Sequence, residues 1–354
     1  MLTICLLTLG DPGRMTGGYL YHRRMADAAA GHNAQVLFGS FPIYPFPLPA
    51  LRAATVVRGV RATGADVVLV DSIAAAYLAP WLATHRLDRP LAASIHQPPG
   101  GIDYGPIRTH AQAVLDRATY RRALRLLVAS DDLAETFVAC GFADRQVRVV
   151  APGRDVAAAS PGPATDLRGS RRVALLFVGN WVARKGLLDV LEAVAALPPE
   201  TVVLHVVGDD TLDPGYAKQV RARLARGDLA GRVQAHGPVS TERVAGFYRD
   251  ADVFVLPSRH EPYGTVYGEA MAAGLPIVGW RAGNLPHLAT DGREGLLLQP
   301  GDVDGLRRAL HRLATDDVYR RELAAAAARR AQSFPTWAQT AELFFTELHE
   351  VARG

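Results

Sequence analysis

The chain has 354 residues, 49% hydrophobic and 21% charged, with 39 Lys and Arg against 35 Asp and Glu. That length exceeds what one core comfortably serves and suits two domains of about 150 residues each, while the composition excludes a disordered chain and one built on spanning helices of about 18 apolar residues. The formal charge of +4 falls well short of a nucleic-acid footprint, but its surplus lies in the first half, 17 basic to 13 acidic over residues 1–170, which suits an anionic acceptor or peripheral contact with a lipid surface.

In chain order, the apolar stretch Leu2–Leu9 reads as a buried strand; it lacks the basic flank and cleavage site of a secretory signal, so a cytoplasmic location is expected. Cys5 and Cys140 have no metal-type partner near them and are expected as core residues in a reducing compartment. Apolar, β-branched runs follow at Gln35–Phe38, Val67–Val70, Leu91–Ile95, Leu126–Ala129 and Val147–Ala151, separated by helix-like spacing. Pro152 to Arg171, rich in Pro, Gly, Ala and Ser and without periodicity, reads as a linker. A second series covers Val173–Val178, Val202–Val207, Val233–Ala235, Asp252–Leu256, Ile277–Gly279 and Leu296–Leu298, with helices expected over Leu187–Ala196 and Thr241–Tyr248. This βα alternation implies an α/β chain of two doubly wound parallel-sheet domains, Rossmann-like, facing a central cleft.

In such sheets ligands bind beyond the carboxyl ends of the strands, so the loops leaving each strand carry the chemistry. Neither half has GxGxxG after a strand, and no GxxxxGK[ST] or GxSxG occurs, which weakens dehydrogenase, P-loop and α/β-hydrolase readings. The most informative stretch is Glu261-Pro-Tyr-Gly-Thr-Val-Tyr-Gly-Glu269-Ala-Met-Ala-Ala-Gly274-Leu-Pro276. Gly264 and Thr265 open a helix whose unpaired amides and positive dipole end suit a pyrophosphate, and Gly274 and Pro276 close it. Glu269, more than a turn inside, would repel phosphate but accepts hydrogen bonds from a neutral ribose diol; Glu261, in the preceding loop, suits sugar hydroxyls.

This segment resembles the E-x7-E signature of the large retaining GT-B glycosyltransferase family 4 (glycosyl transferases group 1), with the Glu-Pro-Tyr-Gly, Glu-Ala-Met-Ala and Gly-Leu-Pro pieces in register. A second match is Phe177-Val-Gly179-Asn180-Trp181-Val-Ala-Arg184-Lys185-Gly186, expected to open the first helix of the second domain. The resemblance implies a basic pair here, Arg184 and Lys185, that neutralises the diphosphate leaving group, and the chain holds only two lysines. Asn180 stands where the family often has Arg. In the first domain, Gly17 and Gly18, at the end of a loop from Gly10, resemble the family's Gly-Gly pair near the phosphates or acceptor. His96, directly after Leu91–Ile95, matches a family His placed near the transferred sugar. Ser130 and the run Val149–Asp155 resemble architectural positions of the family.

Ala282–His287 resembles a Gly-Gly-x-Pro-Glu loop, with Asn284 and His287 as departures. Asp302-Val-Asp304 is a DxD string after Gly301 and reads as a helix N-cap rather than a metal site. No side-chain spacing suggests a metal, and none is expected; the nucleotide-diphosphate sugar is substrate, and no cofactor is implied. Divisions at 1–160 (acceptor side), 161–335 (nucleotide-sugar side) and 336–354 (a helix crossing back) follow from the resemblance, with acceptor-determining loops at Ser40–Ala50 and Gln97–Pro106. The implied reaction is retaining, metal-independent transfer of a sugar to a hydroxyl acceptor, a glycan, lipid or small molecule, by same-face attack without a protein nucleophile, Glu261 acting in positioning. Alternatives of the same architecture are a nucleotide-sugar epimerase, a phosphorylase, or a catalytically silent sugar-nucleotide-binding protein.

Overall fold

A computed structural model describes residues 1–13, 17–154 and 165–354. Arg14 to Thr16 of the glycine loop and Asp155 to Ala164 of the expected linker and closing run lie outside them. The chain divides into two compact units, Met1–Gly153 with Pro335–Gly354, and Arg154–Phe334.

Unit 1 is built on six parallel strands: β1 (Leu2–Leu9), β2 (Ala34–Phe41), β3 (Val67–Asp71), β4 (Leu91–Ile95), β5 (Arg125–Val128) and β6 (Val147–Val149), in the order β2-β1-β3-β4-β5-β6. Strands β3 and β4 are buried along their whole length, so they read as mainly apolar runs, broken only by Asp71 and Ser94, rather than alternating ones. β2 extends past the expected Phe38 because Gly39 and Ser40 continue the ladder against Leu7 and Thr8, a pairing made by backbone rather than by apolar side chains. The helix Trp337–Arg353 starts with a capping box between Thr336 and Gln339 and packs on β3, β4 and β5, where Ala341, Phe344, Phe345 and Leu348 share a buried cluster with Val67, Leu69, Ala92 and Leu127. Each large side chain buried there contributes on the order of 1.5–3 kcal/mol as an upper figure. Cys5 is buried and Cys140 half-buried at the end of the helix Asp131–Ala139, so only Cys5 is a core residue; both thiols are free.

Unit 2 repeats the plan with β7 (Val173–Val178), β8 (Val202–Val207), β9 (Val233–Gly237), β10 (Val253–Val255), β11 (Ile277–Trp280) and β12 (Gly295–Leu298), ordered β12-β11-β10-β7-β8-β9. Its core joins Leu175, Phe177, Val190, Leu204, Phe254 and Trp280 between the sheet and its flanking helices. In each unit one pair of neighbouring strands is not consecutive in sequence: β1 with β3, and β7 with β10. There the strand order reverses, successive helices part to opposite faces, and the carboxyl-end loops are left open to a ligand.

Candidate active site

In unit 2 the reversal brings together the loop leaving β7 and the loop leaving β10. Arg184 and Lys185 lie in a short 3-10 turn, Ala183–Lys185, rather than in the first turn of the helix Leu187–Ala195. Gly186 is the cause: it takes φ 72, a left-handed conformation that interrupts the helix, and a Cβ there would lie 2.4 Å from the Pro257 carbonyl oxygen. The close approach lets the loops be stitched. The Arg259 amide donates to the Arg184 carbonyl at 2.8 Å, and the Ser258 hydroxyl lies 3.2 Å from the carbonyl oxygens of both Arg184 and His260.

Lys185 is only 8% exposed. Its Nζ forms an ion pair with Glu261 Oε2, 76 residues away in sequence. Arg184 Nη1 lies 3.7 Å from the same oxygen and donates to the His260 carbonyl at 2.9 Å. The two cations and the glutamate expected from sequence to serve one donor are thus a single cluster, largely shielded from water. Such a pair is costly to break from one side, because the remaining charge keeps its desolvation penalty.

The helix Thr265–Ala272 begins beside this cluster. Gly264, at φ 85, is its N-cap residue; no side chain caps the helix and its first turn holds no acid, so the positive end of the dipole is met by neither. The Tyr267 hydroxyl donates to the Leu256 carbonyl at 2.7 Å, tying this helix to the end of β10. Thr265 is exposed at the helix start, and Glu269, also exposed, accepts a 3.0 Å hydrogen bond from the Tyr248 hydroxyl. Asn180 is exposed after β7 and its Oδ1 accepts from the Asp209 amide at 3.3 Å, so it braces the loop leaving β8.

One residue of this site was legible only as an oddity. Asn284, a departure from the resembling family's loop, is 2% exposed. Its Nδ2 donates to the Tyr263 carbonyl at 2.8 Å and its amide to the Glu261 carbonyl at 3.2 Å, so it holds the segment between Glu261 and Gly264 in place. Asp302 accepts from the Gly305 amide at 2.8 Å as an N-cap, and Asp304 pairs with Arg307 and Arg308. Among the described residues, no group of three or more His, Cys, Asp or Glu is placed to hold a metal. A cavity of about 550 Å³ in unit 2 is lined by Leu167, Arg168, His205, His236 and Phe247 and by none of the residues of this cluster.

In unit 1 the corresponding loops leave β1, β3 and β4. Gly17 and Gly18 are the first two residues of the helix Gly17–Ala28 rather than part of the loop expected there, and a Cβ on Gly18 would sit 4.0 Å from His96 Cδ2. His96, after β4, is partly exposed. Its Nε2 lies 3.2 Å from the Ser94 hydroxyl, and its ring packs edge-on against Tyr21 and His22 at centroid distances of 4.6 and 5.1 Å. Burial, and then the charge of His22, push the His96 imidazole down to about 3, so it is neutral at physiological pH. Ser130 caps the helix Asp131–Ala139 through the Leu133 amide. Near the expected acceptor loops, the Arg108 guanidinium lies 3.5 Å over the Tyr104 ring. Asp116 accepts from the Gly100 amide at 2.9 Å, and burial pushes its carboxyl up to about 7.

Comparison with known proteins identifies the family. The family described as "Glycosyl transferase 4-like domain" matches residues 4–153, and "Glycosyl transferases group 1" matches residues 172–316. A D-inositol 3-phosphate glycosyltransferase of Xylanimonas cellulosilytica is 31% identical over 275 residues, 72% of this chain and 65% of that protein. One of Corynebacterium diphtheriae is 34% identical over 211 residues, 55% of this chain and 48% of that protein. The chain therefore spans between about half and two thirds of the length of these relatives. Sucrose-phosphate synthase from Thermosynechococcus elongatus superposes with a TM-score of 0.83 at 20% identity, covering 99% of each chain. Anabaena HepE in complex with UDP-glucose gives 0.78 at 22% identity, covering 98% of this chain and 99% of that one. No described helix is long and apolar enough to cross a membrane. With both halves matched and the two six-stranded parallel sheets of the GT-B fold in place, the chain belongs to the glycosyl transferases group 1 family.

Proposed function

We propose that the protein is a retaining glycosyltransferase that moves a sugar from a nucleotide diphosphate to a hydroxyl acceptor without an essential metal. The observation that carries this is the Arg184–Lys185–Glu261 cluster beside the uncapped helix start at Gly264. Breaking a glycosyl phosphate bond builds negative charge on the departing diphosphate, and fixed donors aimed at that charge lower the barrier most directly. Lys185, Arg184 and the amides after Gly264 are such donors. Glu261 is held by both cations, which suits it to position Lys185 and sugar hydroxyls and makes it a poor nucleophile. That supports same-face attack, with the leaving phosphate taking the acceptor proton. Glu269, oriented by Tyr248, receives the ribose diol; Asn180, Thr265, Gly17 and Gly18 shape the phosphate and acceptor surroundings. His96, neutral, offers a hydrogen bond to the transferred sugar without adding charge to it.

The UDP-glucose bound in HepE and the inositol phosphate in the names of the relatives choose the first members of an assay panel. UDP-, GDP- and ADP-sugars would be incubated with and without phosphorylated cyclitols, glycans and lipid acceptors, and products read by NMR. Transfer with the donor's anomeric configuration kept is the expected result. An inverted product overturns retention, interconversion of donor sugars without an acceptor makes the protein an epimerase, and donor binding without transfer or slow hydrolysis makes it a silent binder.

A further inference from the structure

Outside the donor loops, a buried polar cluster that the reaction has not absorbed is centred on Asp71, the last residue of β3, which is 3% exposed. Its carboxylate meets three hydrogen-bond donors and one imidazole nitrogen, from three segments. On Oδ2 the Thr8 hydroxyl of β1 donates at 3.0 Å and His22 Nε2 of the helix Gly17–Ala28 lies in contact at 3.1 Å. On Oδ1 the donors are the Ser72 hydroxyl at 3.2 Å and the Ile73 amide at 3.3 Å. Two arms lead from it to His96. The Ser72 hydroxyl, donating to Asp71, accepts the His96 amide at 3.3 Å. The ring of His22 abuts the ring of His96 with an interplanar angle of 74°. His22 is 1% exposed and neither ring nitrogen makes a regular hydrogen bond, so the 3.1 Å contact of its Nε2 with Asp71 is the polar contact that orients it.

Resting on the glycosyl-transfer reading, we propose that Asp71 is a positioning residue for that reaction: through Ser72 it fixes the backbone of His96, and through His22 it fixes the face of the His96 ring. Asp71 is too buried to touch donor or acceptor itself. Burial alone would raise its carboxyl, yet His22 beside it and the Ile73 amide hold it below its ordinary range, as an anion that accepts from its neighbours. Asparagine cannot replace it. Its amide presents oxygen to one side and NH2 to the other, so whichever way it turns, NH2 is set against a donor the carboxylate accepted, Thr8 on one side or Ser72 and Ile73 on the other. A misplacement of His96 by about 1 Å is enough to cost up to about a hundredfold in rate.

The test is a double-mutant cycle on kcat, with donor KM and thermal unfolding measured for every variant. Asp71→Asn is expected to lower kcat by about tenfold to a hundredfold with donor KM little changed. In a His96→Ala background the same change is expected to lower kcat no further, because its effect passes through His96. A loss repeated in full in that background overturns the inference, since a general loosening of unit 1 would be additive. Should Asp71→Asn not fold, Ser72→Ala carries the same cycle through the backbone arm, with a smaller kcat loss that vanishes when His96 is Ala. Wild-type kcat in His96→Ala itself also overturns the inference while leaving glycosyl transfer standing; absence of transfer by the unaltered protein across the donor panel sinks both together.

Discussion

Replacing Lys185 with Ala separates what the cluster does for stability from what it does for turnover. On the stability side, Glu261 loses its nearest cation, but its side chain is 15% exposed and Arg184 Nη1 stands 3.7 Å away. The 3–5 kcal/mol typical of breaking a fully buried pair is therefore a ceiling, and about 1–2 kcal/mol is expected, a fall in melting temperature of several degrees. On the turnover side, the charge Lys185 meets grows as the glycosyl bond breaks, so its interaction strengthens in the transition state; a loss of about 2–4 kcal/mol translates into a kcat lower by about 30-fold to 900-fold. Donor binding should weaken less. Lys185→Arg should restore only part of the rate, because a planar guanidinium is larger than the ammonium it replaces in a site where the bare backbone of Gly179 leaves room for a slender stem. Pairing Lys185→Ala with Glu261→Gln should recover stability, since no unpaired carboxylate remains, but not kcat. Steady-state kinetics well below the melting temperature decide the matter. Wild-type kcat in Lys185→Ala would refute the argument and leave Arg184 as the leaving-group cation.

Glu269→Ala should raise the donor KM and lower kcat by loosening the ribose, and unchanged donor kinetics would remove that assignment. Transfer should survive EDTA, since Arg184, Lys185 and helix amides meet the leaving charge; loss of turnover restored only by Mg²⁺ or Mn²⁺ would contradict it. Asp116, its carboxyl pushed up to about 7 by burial, stays protonated when folded at pH values where the unfolded chain has released its proton. Its contribution is full below about pH 4 and is lost as pH rises to about 7, so Asp116→Asn should gain more in urea unfolding at pH 8 than at pH 5. His96, pushed down to about 3, works the other way: the unfolded chain protonates first, and stability falls as pH drops from about 6.5 towards 3. His96→Gln should flatten that acid limb, and an unchanged limb would show that His96 does not cause it.

The parts of this protein that could be read from its sequence are those in which one segment carries its own reason. Val173–Val178 and Val202–Val207 are strands because each is an apolar run buried on both faces. The helix after Gly264 is bounded by residues that start and stop helices wherever they occur. What stayed hidden depends on a second segment arriving from far along the chain. Lys185 reads as a helix-start residue until Pro257 is seen to press on Gly186, and Glu261 reads as a free carboxylate until the ion pair spanning 76 positions is closed. Asn284 looks like a loss from a family pattern, and only the Tyr263 carbonyl shows it to be a brace. The Asp71 network is the extreme case, since Thr8, His22, Asp71 and His96 share no motif. They meet because β3 pairs with both β1 and β4, and because the helix Gly17–Ala28 follows β1 directly. A buried carboxylate carries a definite demand, that the groups around it be donors, and that demand constrains residues no spacing rule connects. Polar satisfaction at the strand-order reversal is therefore where the sequence was least informative and the fold most so, for the same physical reason: hydrogen bonds there join segments that only the sheet order places side by side.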